Sequence, residues 1–222
     1  MTRSSEASRS LFDDRDRSGK SQPAPIALRL ADSAFGSRPA VASTLVRPEG
    51  VGSPEAAEAA DAGELLALRE AAASWLASRG IRQWDSGEVA VEEVRDQIEA
   101  GQWHVVRENG APVAALRLLW QDEQVWGPQP PDAAYVHGLV VSQQHHSLGM
   151  GSALLRWAAG QARARGRSLL RLDCGEENEA LRRYYLMQGF AEVGRRDSDG
   201  RWYSVVLLEQ RLSGGSGALC SP

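Results

Sequence analysis

The sequence predicts an α/β (α+β) protein in which a mixed β-sheet is covered by helices. Several segments carry apolar residues at helical spacing, with charged residues between them. Other segments are short apolar runs bounded by turn-forming residues, as in β-strands. The predicted order is β-α-α-β-β-β-α-β-α-β-β, which favours one mixed sheet with helices packed on it.

Two helices are predicted in the first half of the chain, after an edge strand at 43–46. The first begins at Asp61, which with Glu64 resembles a capping box, and ends at Gly80. Its apolar face is formed by Leu65, Leu68, Ala72, Trp75 and Leu76. The second helix covers residues 91–100.

A hairpin, followed by further alternating strands and helices, completes the predicted domain. Asn109 and Gly110, a strong hairpin signal, separate the apolar runs 103–107 and 113–120. Residues 121–132 contain three prolines and are predicted to form a loop. The remaining predicted elements are a strand at 134–141, a helix at 148–165, a strand at 168–173, a helix at 179–188, a strand at 191–194, a turn at Asp199 and Gly200, and a strand at 202–210.

Composition separates the folded region from the two ends of the 222-residue chain. Residues 1–24 are rich in Ser, Arg and Asp, and such a stretch buries too little apolar surface to offset its ordering entropy. We therefore expect a disordered or weakly ordered N-terminal extension at 1–41, a folded domain at 42–212 and a flexible tail at 213–222.

Charge and composition exclude several classes of protein. Acidic residues outnumber basic ones by 29 to 25, for a net charge of -4, so we expect no nucleic-acid partner. No window approaches the roughly 20 apolar residues of a membrane span, and the N-terminus lacks the apolar core of a secretory signal. Cys174 and Cys220 have no metal-ligand spacing. We expect a cytoplasmic protein without a metal or a membrane partner.

A glycine-containing turn is the strongest local signal of a binding site. In the segment VHGLVVSQQHHSLGMGSALL (136–155), an apolar strand runs into a polar turn, and Gly149 and Gly151 then open a helix. Glycines allow a ligand to approach the backbone closely. The N–H groups of residues 147–152 would converge there, aided by the helix dipole, which predicts an anion site suited to a pyrophosphate.

Three nucleotide-like ligands compete for this turn. A Walker phosphate loop requires a lysine after its second glycine, and the turn has none. A dinucleotide fingerprint requires a third glycine where this chain has Leu154. Coenzyme A is the third candidate.

Two motifs in the chain resemble those of the GNAT superfamily of acetyl-CoA-dependent N-acetyltransferases. The first, R/Q-x-x-G-x-G/A after a strand carrying L-x-V, is matched by His146 to Gly151 after Leu139 to Val141, with His146 in place of Arg or Gln. The second, N-x-x-A-x-x-x-Y-x-x-x-G-F, is matched by Asn178, Leu181, Tyr185, Gly189 and Phe190, with Leu181 in place of Ala. The resemblance covers roughly residues 42–212.

The resemblance implies a fold and a cofactor site. The sheet would be mostly antiparallel, with a splayed parallel pair in the middle and helices on both faces. Acetyl-CoA would be the co-substrate, with its pantetheine arm in the wedge between the splayed strands. Asn178 would contact the pantetheine or the acceptor, although Asn is also a preferred helix cap. The cofactor-binding residues implied are Leu139, Val141, His146, Ser147, Leu148, Gly149, Met150, Gly151, Ser152 and Asn178.

Two residues are the candidates for catalysis. Tyr185 matches the family's general acid, which protonates the departing thiolate; adjacent Tyr184 is its rival. His137 is the candidate base, because its pKa lies in the useful range. Its strand, YVHGLVV, resembles the H-x-H-x-L-x-V strand of arylalkylamine N-acetyltransferases, with Tyr135 in place of the first histidine. Strand alternation predicts Tyr135, His137 and Leu139 on one face. Packed structural roles are the alternative for both candidates.

The acceptor is predicted more coarsely than the cofactor. The resemblance implies direct attack by a primary amine of a small molecule, an antibiotic or a protein N-terminus. An acetylated Cys174 is a further chemical route. Aromatic and acidic residues that suit a cationic amine, and equally suit packing or a solvated loop, are Trp84, Trp120, Trp126, Asp122, Glu123 and Asp132. The alternative function is a catalytically silent coenzyme A-binding sensor or interaction module. Many relatives dimerise, so a homodimer is among the expected assemblies.

Overall fold

A seven-stranded sheet with one parallel pair forms the framework of the computed structural model, which describes residues 52–81, 83–197 and 204–213. The strands of this part of the chain are β1 (Glu55–Ala56), β2 (Trp103–Glu108), β3 (Ala111–Leu119), β4 (Ala133–Val141), β5 (Leu169–Gly175), β6 (Ala191–Arg196) and β7 (Val205–Arg211). The helices are α1 (Ala62–Ala77), α2 (Val91–Glu99), α3 (Glu123–Trp126), α4 (Met150–Ala164) and α5 (Glu179–Met187). The strands lie in the order β1-β2-β3-β4-β5-β7-β6.

The mixed α/β architecture predicted from the sequence is confirmed. Asn109 and Gly110 turn between β2 and β3 with φ of 51° and 86°, as a tight hairpin requires. The region expected to be a loop contains the one-turn helix α3, which Asp122 begins by accepting a hydrogen bond from the Val125 N–H. The predicted strand at 43–46, the turn at Asp199 and Gly200, the extension at 1–41 and residues 214–222 of the predicted tail lie outside the described residues.

The start of α1 differs from its prediction, because Asp61 does not form a capping box with Glu64. Its carboxylate accepts the Glu58 N–H at 2.7 Å and a two-pronged ion pair from Arg107 on β2 at 2.7 and 2.8 Å. The Arg107 hydrogen bonds hold the pKa of Asp61 below its usual range. Asp61 therefore joins the beginning of α1 to the sheet, a long-range role that local spacing did not reveal.

Helices cover both faces of the sheet. On one face α4 and α5 pack their apolar sides, including Leu154, Leu155 and Tyr185, against β3, β4 and β5. On the other face Leu65 of α1 and Ile98 of α2 pack with Trp103 and Val140. Burying each such leucine or isoleucine side chain contributes about 1.5 to 3 kcal/mol, so the two layers fix the sheet from both sides.

The parallel pair at the centre of the sheet is short. β4 and β5 pair from Ala133 with Leu169 to Val136 with Leu172, and both strands continue beyond that register. From His137 onward, the edge of β4 that faces β5 has no strand partner in the described part of the chain. The two strands therefore open into a wedge at their C-terminal ends.

A β-bulge at Gly138 changes which side chains share a face of β4. His137 lies opposite Arg117, but Val140 lies opposite Ala115, so β4 has one extra residue between these two pairs. Gly138 takes φ of 57°, and a Cβ there would lie 2.9 Å from Cη2 of Trp103. Leu139 consequently packs on the α4 side, opposite to His137. The prediction that both share one face is wrong, because alternation fails at a bulge.

None of the helices in the described ranges combines the length and the apolar character that crossing a membrane requires.

Candidate active site

The open end of the wedge brings together side chains from α3, β4, β5 and α5. His137 and Asp173 directly follow the last paired residues of β4 and β5. Asp122, the N-cap of α3, approaches His137 from the side, with 2.9 Å between Asp122 Oδ2 and His137 Nε2. Tyr185 of α5 is buried, and burial together with electrostatic interactions with Cys174 and Asp173 raises its pKa. His137, Asp122 and Asp173 thus meet at the point where the strands separate.

The turn between β4 and α4 has the backbone conformation of an anion site. Ser147 has φ of 68° and Gly149 has φ of 74°, so two left-handed residues stand just before α4 begins at Met150. Such a turn directs successive backbone N–H groups into one concavity, and the helix dipole adds positive potential. The Leu148 N–H donates to the His145 carbonyl at 3.4 Å, and diphosphate binding by residues 147–152 stays a prediction.

Two histidines hold this turn in place. His145 is buried; its Nδ1 lies 2.5 Å from the Ser142 hydroxyl and its Nε2 lies 3.1 Å from Glu108 Oε2 at the hairpin. His146 donates from Nε2 to the Val141 carbonyl at 3.1 Å and packs edge-on against Trp75 of α1. His146 thereby occupies part of the hydrogen-bonding capacity of the Val141 carbonyl. Both histidine rings stabilise the conformation of the turn.

Tyr184 and Tyr185 differ in their surroundings, as their positions on a helix predict. The Tyr184 hydroxyl lies 3.3 Å from Ser152 Oγ, and a Cβ on Gly151 would lie 2.7 Å from it. Tyr185 is buried, packs edge-on against Phe190 and points toward β5. Burial raises the pKa of Tyr185 well above its usual value. Gly151 therefore makes room for a protein hydroxyl, which the sequence had not indicated.

The electrostatic environment of His137 is set by two carboxylates and a guanidinium. Burial alone would lower the pKa of His137, but the hydrogen bond to Asp122 and the charge of Asp173 outweigh burial and the opposing charge of Arg117, and the pKa is raised. Asp173 Oδ1 lies 3.7 Å from His137 Nδ1 and has no hydrogen-bond partner. Burial raises the pKa of Asp173.

The same three side chains are the candidate metal ligands in the described part of the chain. One ligand atom from each of Asp122, His137 and Asp173 lies within 4.8 Å of the others. However, His137 Nε2 and Asp122 Oδ2 are hydrogen-bonded to each other, and Asp122 Oδ1 accepts the Val125 N–H. The arrangement therefore suits a hydrogen-bonded acid–base cluster better than a cation site.

Comparison with known proteins identifies the family. The family model described as the acetyltransferase (GNAT) family matches residues 69–190, more than half of the chain. The chain belongs to the GNAT acetyltransferase family. A relative, the uncharacterized N-acetyltransferase YesJ of Bacillus subtilis (strain 168), is 30% identical in a 143-residue alignment that covers 60% of this chain and 78% of YesJ.

Solved structures share the GNAT fold with this chain. A GNAT-family acetyltransferase from Listeria monocytogenes 4b F2365 superposes with a TM-score of 0.60 at 23% identity, over 72% of this chain and 94% of that one. YncA of Salmonella typhimurium, solved with its cofactor acetyl-CoA, gives a TM-score of 0.55 at 18% identity over 72% and 94%. Family membership makes this chain an acetyl-CoA-dependent acyltransferase.

Asn178 is more occupied in this GNAT domain than its motif suggested. Its side-chain oxygen accepts the Leu181 N–H at 3.1 Å and so caps α5, while its amide nitrogen donates to Gln83 at 3.1 Å. Gln83 also accepts the Gly175 N–H at 3.3 Å. Both ends of the amide are therefore engaged within the protein, and Gln83, which the sequence did not single out, ties the loop after α1 to the end of β5.

Cys174 has the wrong properties for a nucleophile in this GNAT site. Its side chain is fully buried, and burial raises the pKa of the thiol to about 12. Since the thiolate is the reactive form, almost none is present at neutral pH. An acyl-cysteine intermediate at Cys174 is therefore disfavoured.

The aromatic residues flanking the GNAT wedge hold loops in position. Arg171 stacks on Trp126 and donates to the Tyr135 hydroxyl at 3.1 Å, which anchors the loop containing α3 to β4 and β5. Trp84 stacks on Arg69 of α1. Trp120 instead stacks beneath Arg165 at the C-terminal end of α4, away from the wedge.

Proposed function

We propose that this enzyme transfers the acetyl group of acetyl-CoA to a primary amine of a small molecule, an antibiotic or a protein N-terminus by direct attack. The observation that carries the proposal is His137, which stands between two carboxylates at the open end of the wedge. The reduced, buried Cys174 suits a cytoplasmic enzyme.

The cofactor would be held mainly by the backbone. N–H groups of residues 147–152 would face a pyrophosphate at the left-handed turn. The edge of β4 that β5 leaves unpaired would offer main-chain groups of Leu139 to the pantetheine, and Val141, whose carbonyl accepts from His146, would contribute its remaining hydrogen-bonding capacity. When bound, acetyl-CoA supplies the activated acyl group as a thioester. The bulge at Gly138 supports this assignment, because it turns Leu139 away from His137 and separates the two functions of β4.

His137 and Tyr185 would divide the proton transfers. An amine acceptor is mostly an ammonium at neutral pH, and His137 would remove its proton. The raised pKa of Tyr185 keeps the phenol protonated, so that it can donate a hydrogen bond to sulfur as negative charge develops there. Tyr184, bonded to Ser152 beside the phosphate turn, would support cofactor binding.

The proposal is tested by measuring thiol release from acetyl-CoA against a panel of primary amines, with Tyr185→Phe as a matched variant. We expect amine-dependent release in the wild type and a large loss in the variant. Thiol release that is independent of every amine offered would contradict the proposal.

A further inference from the structure

We infer that the ammonium group of the acceptor bridges Asp173 Oδ1 and His137 Nδ1 by donating to both, and that Asp122 is a positioning residue that orients the imidazole for this contact. This inference rests on the proposed function and extends it to the recognition of the acceptor.

Asp173 Oδ1 and His137 Nδ1 lie close enough for a single donor group to hydrogen-bond to both. Asp173 Oδ1 and His137 Nδ1 are 3.7 Å apart, too far for a hydrogen bond with each other. Asp173 Oδ1 is buried without a partner, which is unfavourable for a carboxylate. An ammonium nitrogen has three N–H donors and can satisfy both atoms at once.

Asp122 determines which nitrogen of the His137 ring is protonated and which is free to accept a proton from the ammonium group. Its Oδ2 accepts the Nε2–H of His137 at 2.9 Å, and its Oδ1 accepts the Val125 N–H at 3.2 Å. A carboxylate only accepts hydrogen bonds, so Nε2 carries the proton and Nδ1 has the lone pair. The one-turn helix α3 thus fixes Asp122, and Asp122 fixes the tautomer of His137.

The proton balance of the step is complete within this cluster. The bound ammonium donates one N–H to Asp173 and another to His137 Nδ1. Transfer of the second proton to Nδ1 leaves a neutral amine, whose lone pair is free to attack the acyl carbon. The resulting imidazolium lies between the carboxylates of Asp122 and Asp173, while Arg117 on β3 is the opposing charge.

This geometry selects a class of substrate. The acceptor must be cationic and carry at least two N–H bonds, so primary and secondary ammonium groups fit and quaternary ammonium groups do not. An alcohol of the same shape has no charge for Asp173 and would bind more weakly.

Asp173→Asn tests the ammonium subsite, with the amine that gives the fastest thiol release as the probe. Removing the charge should raise KM for the amine at least about tenfold, with an unchanged Kd for acetyl-CoA by calorimetry. Asp96→Asn is the control for the loss of one carboxylate, because Asp96 is exposed on α2 and has no part in the cluster at the wedge. It should behave as wild type.

The outcomes separate this inference from the proposed function. A wild type that turns over the amine, together with an Asp173→Asn variant within twofold in KM, overturns the subsite and leaves the acetyltransferase proposal standing. A wild type without activity on any amine overturns both. Activity lost to a chelator and restored by a divalent metal would place a cation in the cluster and overturn the subsite.

Asp122→Ser tests the positioning role, because serine preserves the N-cap of α3 and removes the carboxylate from His137. We expect the acid limb of the kcat/KM profile to move to lower pH and the plateau to fall, with the melting temperature retained. A profile with an unmoved acid limb would show that Asp122 serves only the helix.

Discussion

Asp122 and Asp173 raise the pKa of His137, and this shift predicts how the activity depends on pH. A base must be neutral to accept a proton, so activity rises as the pH passes upward through its pKa. Since that pKa is raised, the acid limb of kcat/KM should have its midpoint above about 6.5. In His137→Gln the loss of activity should shrink at alkaline pH, where the free amine is abundant.

His104→Gln is the matched control for this profile. His104 stacks on Trp157, and burial lowers the pKa of its ring. Unlike the pKa of His137, that of His104 is not affected by a carboxylate. Its variant should keep the wild-type acid limb. A His137→Gln deficit that is constant from neutral to alkaline pH would make His137 a structural residue.

Tyr185 is distinguished from Tyr184 by the loss expected on removing a single hydroxyl. Tyr185→Phe should reduce kcat by about 100- to 10,000-fold with little change in acetyl-CoA affinity, because the ring still packs against Phe190. Tyr184→Phe should alter cofactor affinity more than kcat. Single-turnover kinetics would measure the chemical step directly, and a wild-type rate in Tyr185→Phe would leave it a packing residue.

At the scale of elements, the bulge in β4 depends on Gly138. An alanine there must take a left-handed φ and place its Cβ 2.9 Å from the Trp103 ring. We expect Gly138→Ala to lower the free energy of unfolding by about 2 to 4 kcal/mol, measured by urea denaturation. Gly160→Ala in α4, where a Cβ meets nothing, should instead stabilise by up to about 1 kcal/mol. Equal effects would show that the bulge is not under this constraint.

Gly151 could be required for either of two reasons: to make room for the Tyr184 hydroxyl, or to let the cofactor approach the backbone. The contact between α4 and α5 allows the two to be tested separately. Gly151→Ala places a Cβ 2.7 Å from the Tyr184 hydroxyl, whereas the next ring atom, Cζ, is 3.6 Å away. If Gly151 also lets the cofactor approach, acetyl-CoA affinity should be weaker in the double variant Gly151→Ala with Tyr184→Phe than in Tyr184→Phe alone. Calorimetry showing recovery in the double variant would assign Gly151 to tyrosine packing alone.

At the scale of the whole molecule, the helices and strands were predictable because the spacing of apolar residues along each segment indicates its secondary structure. Leu154 and Leu155 turn inward on α4, and the hairpin forms at Asn109 and Gly110, as the sequence indicates. The strand VHGLVV has the spacing of a regular strand, so the bulge at Gly138 was not recognised. A bulge depends on how a strand pairs with its partner, and the spacing of apolar residues within one strand gives no information about that pairing.

The cluster at the wedge was predictable only in part for the same reason. His137 and Tyr185 came from motifs, and Asp122 was one of several acidic residues near a loop. Asp173 and Gln83 were missed, since their importance arises from contacts with residues 36 and 95 positions away. One usable signal was present: Asp173 is the last residue of the predicted strand 168–173, which pairs in parallel with the strand of His137, and the ends of such strands lie side by side.

The most direct test of the central claim is a competition between matched acceptors. Wild-type enzyme and acetyl-CoA are incubated with an equimolar mixture of the best amine acceptor and its alcohol analogue, and mass spectrometry identifies the products. The wedge, with Asp173 and His137 around an ammonium group, predicts the N-acetylated amine as the product and no O-acetylated alcohol. Acetylation of the alcohol at a comparable rate, or free acetate as the product, would contradict it.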